Sequence, residues 1–119
     1  MLINTINEVD MEIITSYEKL AELIENNDML MIYFASEACG VCRAMMPKVE
    51  NMIKGYPNIK AVKVEADKSL NISASFNVFT VPVILLYIKG KETIREVRII
   101  SLDNLEQKIA RYCQIFYVK

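Results

Sequence analysis

The sequence predicts an α/β domain whose central mixed β-sheet is flanked by helices on both faces. Two dense apolar runs, Met29–Ala35 and residues 81–88, have the length and composition of buried strands. Segments with helical periodicity separate the earlier strands, whereas a turn at residues 89–91 joins the last two strands as a hairpin. Strands that alternate with helices early and form a hairpin late imply both parallel and antiparallel pairs in one sheet.

In the first half of the chain, local signals mark where each element begins and ends. Thr15 and Glu18 have the spacing of a capping box, which predicts a helix start. Gly55 offers a helix stop, and Pro47 is expected to kink the helix that contains it. In order, the predicted elements are a short strand over 11–14, a helix to about Asn26, a strand at Met29–Ala35, a helix over about 39–54 and a strand over 59–65.

The second half of the chain predicts a short helix, a hairpin and a final amphipathic helix. Serine and aspartate side chains directly before the short helix and the final helix are the predicted N-caps. Apart from the short helix, the predicted order is β-α-β-α-β-β-α. In sequence, these later elements are a helix that Ser69 caps and that runs through Phe76, strands over 81–88 and 92–100, and a helix that Ser101 or Asp103 opens.

Composition limits the size, partners and chemistry of the protein. With 119 residues, of which 53% are hydrophobic, the chain is predicted to form one domain over residues 1–119. A formal net charge of −1 without a dense basic cluster argues against nucleic acid or an anionic membrane as a partner. The chain contains no histidine, which excludes Ser-His and Cys-His catalysis and His-ligated metal sites. No cofactor is expected.

The start of the chain and its cysteine content indicate the compartment. Met1 to Asn4 lack the basic start, apolar core and cleavage site of a secretory signal, and no apolar run approaches membrane-spanning length. Three cysteines do not make a structural disulfide framework, and in a reducing compartment a close pair is more often catalytic or metal-binding. We therefore expect a cytoplasmic location.

The motif with the clearest chemistry is Cys39-Gly40-Val41-Cys42. It follows a predicted buried strand and opens a predicted helix. At that place the free N–H groups of the first helical turn and the helix dipole favour a thiolate over a thiol. Two cysteines with this spacing can also exchange two thiols for one disulfide, which predicts a redox function.

Two prolines accompany this motif. Pro47 lies five residues after Cys42, and Pro82 follows Thr80 and Val81 at the start of a hydrophobic strand. With the motif at a strand-to-helix junction, these residues make nearly the whole chain resemble the thioredoxin superfamily. That resemblance implies a thioredoxin-like fold and an enzyme that reduces protein disulfides by dithiol–disulfide exchange.

The resemblance also implies a role for each residue of the site. Cys39 is then the exposed attacking thiolate, and Cys42 is the more buried resolving thiol. Pro82 matches the family's cis-proline, next to which the backbone of Val81 pairs with an extended substrate segment. Residues between the cysteines, Gly40 and Val41, complete the substrate-binding surface. The implied partners are disulfide-containing proteins and a reductase or low-molecular-weight thiol that regenerates the dithiol.

Several residues depart from the family pattern. Ala38 stands where thioredoxins usually carry a tryptophan, and Val41 replaces a common proline, so the reduction potential should differ from that of a typical thioredoxin. Tyr33 replaces a buried aspartate that helps to move a proton from the second thiol. Lys63 matches the lysine that accompanies this acid, and Glu37 is the nearest carboxylate in sequence and could act through water. We favour ordinary solvated charges as the interpretation of Lys63 and Glu37.

Two other functions use the same residues. The chain could be a non-catalytic binding module, in which the departures at Tyr33 and Ala38 reflect lost turnover. It could also be a metal or iron–sulfur carrier, formed by a dimer that shares two Cys-x-x-Cys pairs. The carrier needs two chains because a tetrahedral site takes four ligands and Cys113 supplies only a third thiol. Cys113 itself is predicted to pack in the core on the apolar face of the last helix.

Overall fold

The computed structural model describes residues 11–117, which form one five-stranded sheet and four helices. The strand order across the sheet is β1-β3-β2-β4-β5, so β2 lies at its centre. In chain order the elements are β1 (Glu12–Ile13), α1 (Tyr17–Asn26), β2 (Met29–Ala35), α2 (Gly40–Ile53), β3 (Lys60–Glu65), α3 (Leu70–Ser75), β4 (Val83–Ile88), β5 (Lys91–Val97) and α4 (Leu102–Tyr117).

The sheet is mixed, as the sequence predicts. β3 pairs in parallel with both β1 and β2, whereas β4 pairs antiparallel with β2 and β5. Because β2 and β3 are parallel, their carboxyl ends meet at one edge, where Ala35 is the register partner of Glu65. The chain enters α2 from this edge, which is where ligands and reactive groups commonly lie in α/β sheets.

Helices cover both faces of the sheet, which confirms the predicted architecture. On one face, Val49 of α2 and Ile109 of α4 are buried in a single core. On the other face, Leu20 of α1 and Ile72 of α3 are buried in a second core. Successive side chains of β2 alternate between the two cores, which explains why this strand is an unbroken apolar run.

At the start of α1 and of α4, one of two nearby polar residues is the N-cap. The Oγ of Ser16 accepts the N–H of Lys19 at 3.2 Å, so α1 begins one residue later than the capping box at Thr15 predicts. At the start of α4, Ser101 and not Asp103 accepts a backbone N–H in the first turn. In each case the predicted helix is present and the three-dimensional path of the chain decides which oxygen reaches the open N–H groups.

Both strands of the hairpin are shorter than predicted at the end near the motif. β4 begins at Val83, and β5 covers Lys91–Val97. Arg98 has a φ of 64°, which takes the chain out of the extended conformation. Its N–H donates to the carbonyl of Pro82 at 2.7 Å. The loop that leaves β5 therefore lies beside the loop that enters β4.

Pro47 lies inside α2. α2 continues from Gly40 through Pro47 to Ile53, and the kink at Pro47 stays a prediction. Among residues 11–117, none of the helices combines the length and the apolar character needed to cross a membrane. The single domain over 1–119 extends past the described residues and stays a prediction, and Met1 to Asn4 lie outside them.

Candidate active site

The Cys-x-x-Cys motif lies at the junction between β2 and α2. β2 ends at Ala35, and the carbonyl of Ser36 accepts the N–H of Cys39 at 3.1 Å. Cys39 has an extended backbone and caps α2, because its Sγ accepts the N–H of Cys42 at 3.2 Å. The helix therefore begins at Gly40, one residue later than predicted. This geometry holds the sulfur of Cys39 at the open N–H groups of the first turn.

The two thiols differ in exposure and in acidity. Cys42 is 1% exposed, whereas Cys39 is only half-buried, and both are free thiols. The pKa of Cys39 lies below its ordinary value, chiefly because of the hydrogen bond with the Cys42 thiol. The N–H groups of Cys42 and Val41 and the charge of Arg43 also lower this pKa, and burial raises it without cancelling them. Burial, followed by the hydrogen bond to Cys39, raises the pKa of the Cys42 thiol to about 11. The more accessible sulfur is thus the more acidic one.

Tyr33 ties β2 to the first turn of α2. Its side chain is fully buried, and its Oη donates to the carbonyl oxygen of Cys42 at 2.9 Å. Burial, followed by the charges of Cys42 and Cys39, raises the pKa of Tyr33, so the phenol keeps its proton at neutral pH. At the place where the family carries an acid, this chain has a hydrogen-bond donor and no base.

The segment before β4 lies beside the motif. Val81 packs against the cores on both faces, and Val81 and Ser36 line one groove. The Val81–Pro82 peptide bond is cis, as the resemblance implies. Within the described residues, neither the N–H nor the C=O of Val81 makes a hydrogen bond. These groups are open to pairing with an extended segment of another chain.

An apolar groove of about 510 Å³ runs next to Val81, and sequence reasoning missed it. Its walls include Leu70 and Phe79, which are 70% and 78% exposed. Ile99, in the loop that leaves β5, is 91% exposed. The sequence carries these apolar residues openly, but a pattern of apolar residues does not distinguish an exposed rim from a core.

A second cleft, of about 280 Å³, opens beside Cys42. Lys63 and Glu65 of β3 and Glu37 of the loop line it. Lys63 is half-buried rather than fully solvated, because the parallel register pairs it with Tyr33 on the α2 side of the sheet. The Glu37 side chain is 74% exposed. Glu65 was not among the candidate residues, because its proximity to Cys42 depends on strand pairing.

The third cysteine lies away from this site. Cys113 is half-buried against the α2–α4 core, and its Sγ is 4.0 Å from the Sδ of Met29. Burial raises the pKa of its thiol, as expected for a packed cysteine. In the part of the chain that the structure describes, no group of three or more His, Cys, Asp or Glu side chains is placed to hold a metal ion.

Comparison with known proteins gives matches to both the sequence and the fold. The thioredoxin family model matches residues 11–111. The thioredoxin-like protein YdfQ of Bacillus subtilis is 35% identical over 85% of this chain and 90% of its own length. The thioredoxin of Chlamydia trachomatis is 29% identical over 83% of this chain and 96% of its own. The oxidised form of mitochondrial thioredoxin 3 from Saccharomyces cerevisiae superposes with a TM-score of 0.77, at 29% identity over 85% of this chain and 94% of that one.

The fold and a Cys-x-x-Cys pair at a helix start define a thioredoxin-fold dithiol protein. The chain belongs to the thioredoxin family. It is a thiol–disulfide oxidoreductase with protein-disulfide reductase activity, in which Cys39 and Cys42 lie close together. Members of this family act on disulfide substrates and are regenerated by a reductase or a thiol. Neither the binding-module nor the metal-carrier alternative is favoured by these relatives.

Proposed function

We propose that Cys39 attacks the substrate disulfide and that Cys42 resolves the mixed disulfide that results. The observation that carries this proposal is the contrast between two sulfurs of one helical turn. Cys39 is accessible and its thiolate is stabilised by N–H groups, whereas Cys42 is buried and retains its proton. A nucleophile must be ionised and reachable, and a resolving thiol must stay protected until the first step is complete.

The proposed reaction balances within the dithiol and the substrate. The Cys39 thiolate forms a bond to one substrate sulfur, and the substrate S–S bond breaks and releases the first substrate thiolate. Cys42 then loses its proton and attacks the sulfur of Cys39, which releases the second substrate thiolate. The protein pair is oxidised by two electrons to a disulfide, and the substrate disulfide is reduced to two thiols.

The proposed substrate surface consists of Gly40, Val41, Val81 and Pro82. Two features support it: Val41 is 58% exposed beside the cysteines, and the backbone groups of Val81 have no partner within the described residues. An extended substrate segment would pair with Val81 as an added strand while its disulfide faces Cys39.

The proposed partners are disulfide-containing proteins and a reductase or low-molecular-weight thiol that regenerates the dithiol. No nucleic acid or membrane partner and no cofactor are proposed. Electron transfer to protein disulfides in the cytoplasm, as part of cell redox homeostasis, is proposed because three cysteines are too few for a structural disulfide framework.

The assignment of the two cysteines predicts different behaviour for two serine variants. Cys39→Ser should reduce insulin with dithiothreitol no faster than dithiothreitol alone, because the attacking sulfur is gone. Cys42→Ser should accumulate a mixed disulfide with an oxidised substrate protein, because the second step is blocked. Non-reducing electrophoresis and mass spectrometry detect this adduct.

Cys113→Ser is the matched control and should keep wild-type turnover. Two outcomes contradict the assignment. One is turnover by Cys39→Ser at the wild-type rate, and the other is equal trapping of substrate by the Cys39→Ser and Cys42→Ser variants.

A further inference from the structure

The cleft beside Cys42 brings a strand carboxylate to the side of the buried thiol. Cys42 and Glu65 line the same space of about 280 Å³. The parallel register places Glu65 next to Ala35, which also lines the cleft, and the small methyl group of Ala35 leaves room between the strand and α2. The cleft has room for water, and the charged side chains in its lining offer hydrogen-bond partners to that water.

The second step of the reaction needs a proton acceptor near Cys42. Only the thiolate attacks a disulfide, and burial, the largest cause of the raised pKa of the Cys42 thiol, persists in the mixed disulfide, so this thiol keeps its proton at neutral pH. Tyr33 does not serve as the acceptor, because its hydroxyl donates to the Cys42 carbonyl at 2.9 Å and keeps its own proton. The carboxylates that line the cleft are the candidate acceptors that the protein itself supplies.

Two carboxylates line the cleft, and they differ in exposure and in rigidity. The Glu65 side chain is 17% exposed and belongs to β3, whereas the Glu37 side chain is 74% exposed and belongs to a loop. Lys68 lies 3.8 Å from the Glu65 carboxylate and 3.6 Å from that of Glu37. A base fixed on a strand and shielded from bulk water needs less reorganisation during proton transfer.

The surrounding charges favour negative charge in the cleft. Two cations and two carboxylates line it, and Lys68 lies 3.6 and 3.8 Å from the two carboxylates, so a thiolate that forms there has cations as well as like charges around it. The titratable and charged groups come from every element around the cleft: Tyr33 of β2, Glu37 of the loop, Cys39, Cys42 and Arg43 at the start of α2, Lys63 and Glu65 of β3, and Lys68 after β3.

We propose that Glu65 accepts the proton of Cys42, through water in the cleft, while Cys42 attacks the mixed disulfide. The Cys42 S–H bond breaks, the Cys39–Cys42 bond forms and the bond between Cys39 and the substrate breaks. The substrate sulfur leaves with its electron pair as a thiolate, so the mixed disulfide is the oxidant of Cys42. Glu65 then returns the proton to solvent. This inference rests on the proposed roles of the two cysteines.

A stopped-flow reaction with dithiobis(nitrobenzoate) tests this step, because each half of the reagent is released as a coloured thiolate. In a Cys113→Ser background, the first release reports attack by Cys39 and the second reports resolution by Cys42. Glu65→Gln should slow the second phase at pH 7 by about a hundredfold or more, which is the effect of losing a general base, and leave the first phase unchanged. Raising the pH should restore the second phase, because hydroxide then takes the proton.

Glu37→Gln is the matched control, because it removes a carboxylate from the same cleft, and both of its phases should match the wild type. The inference is overturned by a wild-type second phase in Glu65→Gln, by equal slowing in both glutamine variants, or by slowing in Glu65→Gln that is the same at every pH. A wild-type protein without a second phase contradicts the role of Cys42 itself and so overturns the proposed function first.

Discussion

At the scale of the residue, one helical turn separates two thiols whose pKa values shift in opposite directions. The lowered pKa of Cys39 stabilises the folded dithiol above the ordinary thiol pKa, and this contribution is lost as the pH falls through the lowered value. The raised pKa of Cys42 has the opposite sign. Its stabilising effect is present below the ordinary value of 9.0 and is lost as the pH rises towards about 11. The difference follows from position, since only Cys39 caps the helix.

Tyr33→Phe should lower the free energy of unfolding by about 1 kcal/mol, the net contribution of one hydrogen bond. The variant keeps the buried ring and removes only the hydroxyl that donates to the Cys42 carbonyl. Urea denaturation of the reduced protein measures the change. Tyr87→Phe is the control, because its hydroxyl makes no hydrogen bond within the described residues, and it should be nearly neutral. Equal stability of Tyr33→Phe and the wild type would contradict a structural role for this hydrogen bond.

At the scale of the element, strand pairing and loop contacts bring the parts of the site together. The loop after β5 is held to Pro82 by the N–H of Arg98, and β5 also braces the segment that precedes Val81. Arg95 of β5 donates to the carbonyl of Phe76 at 2.7 Å and to that of Asn77 at 3.3 Å. The position of the proposed substrate surface therefore depends on a side chain remote from both cysteines.

Arg95→Ala should lower the free energy of unfolding by about 1–2 kcal/mol, because charge-assisted hydrogen bonds are lost and part of the ion pair is solvent-screened. Arg95 also forms a two-point contact with Glu92, at 2.8 and 3.0 Å, and its hydrogen bond and charge lower the pKa of that carboxyl. This contribution is present above the ordinary value of 4.5 and is lost as the pH falls through the lowered pKa.

Urea denaturation at graded pH checks this prediction. The free energies of unfolding of the wild type and Arg95→Ala should become more similar in acid, below about pH 4.5, because the Glu92 carboxylate is then protonated. Lys91→Ala, an exposed change on the same strand, should be nearly neutral. If the two free energies of unfolding differ by the same amount at every pH, the ion pair between Arg95 and Glu92 does not contribute to stability.

Elements were easier to predict from the sequence than the contacts between them. The bounds of β2 are confirmed at both ends, because an unbroken apolar run of that length fits a strand buried on both faces. The apolar run predicts a strand that begins at Val81, whereas β4 begins at Val83, since apolar character does not report where pairing begins. The closeness of Glu65 to Cys42 follows from parallel register, which joins residues far apart in sequence and leaves no local signal.

At the scale of the whole molecule, the motif lies where two recesses meet that differ in how many charged residues line them. Ser36, directly after β2, contributes to the walls of both the groove beside Val81 and the cleft beside Cys42. The groove reaches Val81 and offers apolar contact to a substrate chain, whereas the cleft reaches Cys42 and offers charged groups. Substrate binding and proton removal are thus assigned to different surfaces that share one edge of the sheet.

We propose that Cys39 and Cys42 form a reversible redox pair, and an equilibrium titration against glutathione measures this property. Protein equilibrated at graded potentials is quenched by alkylation and mapped by peptide mass spectrometry. We expect one two-electron transition, in which the two thiols are lost together and recovered as a Cys39–Cys42 disulfide, while Cys113 stays open to alkylation. A transition in which Cys39 pairs with glutathione or with Cys113 and Cys42 remains a free thiol would contradict it.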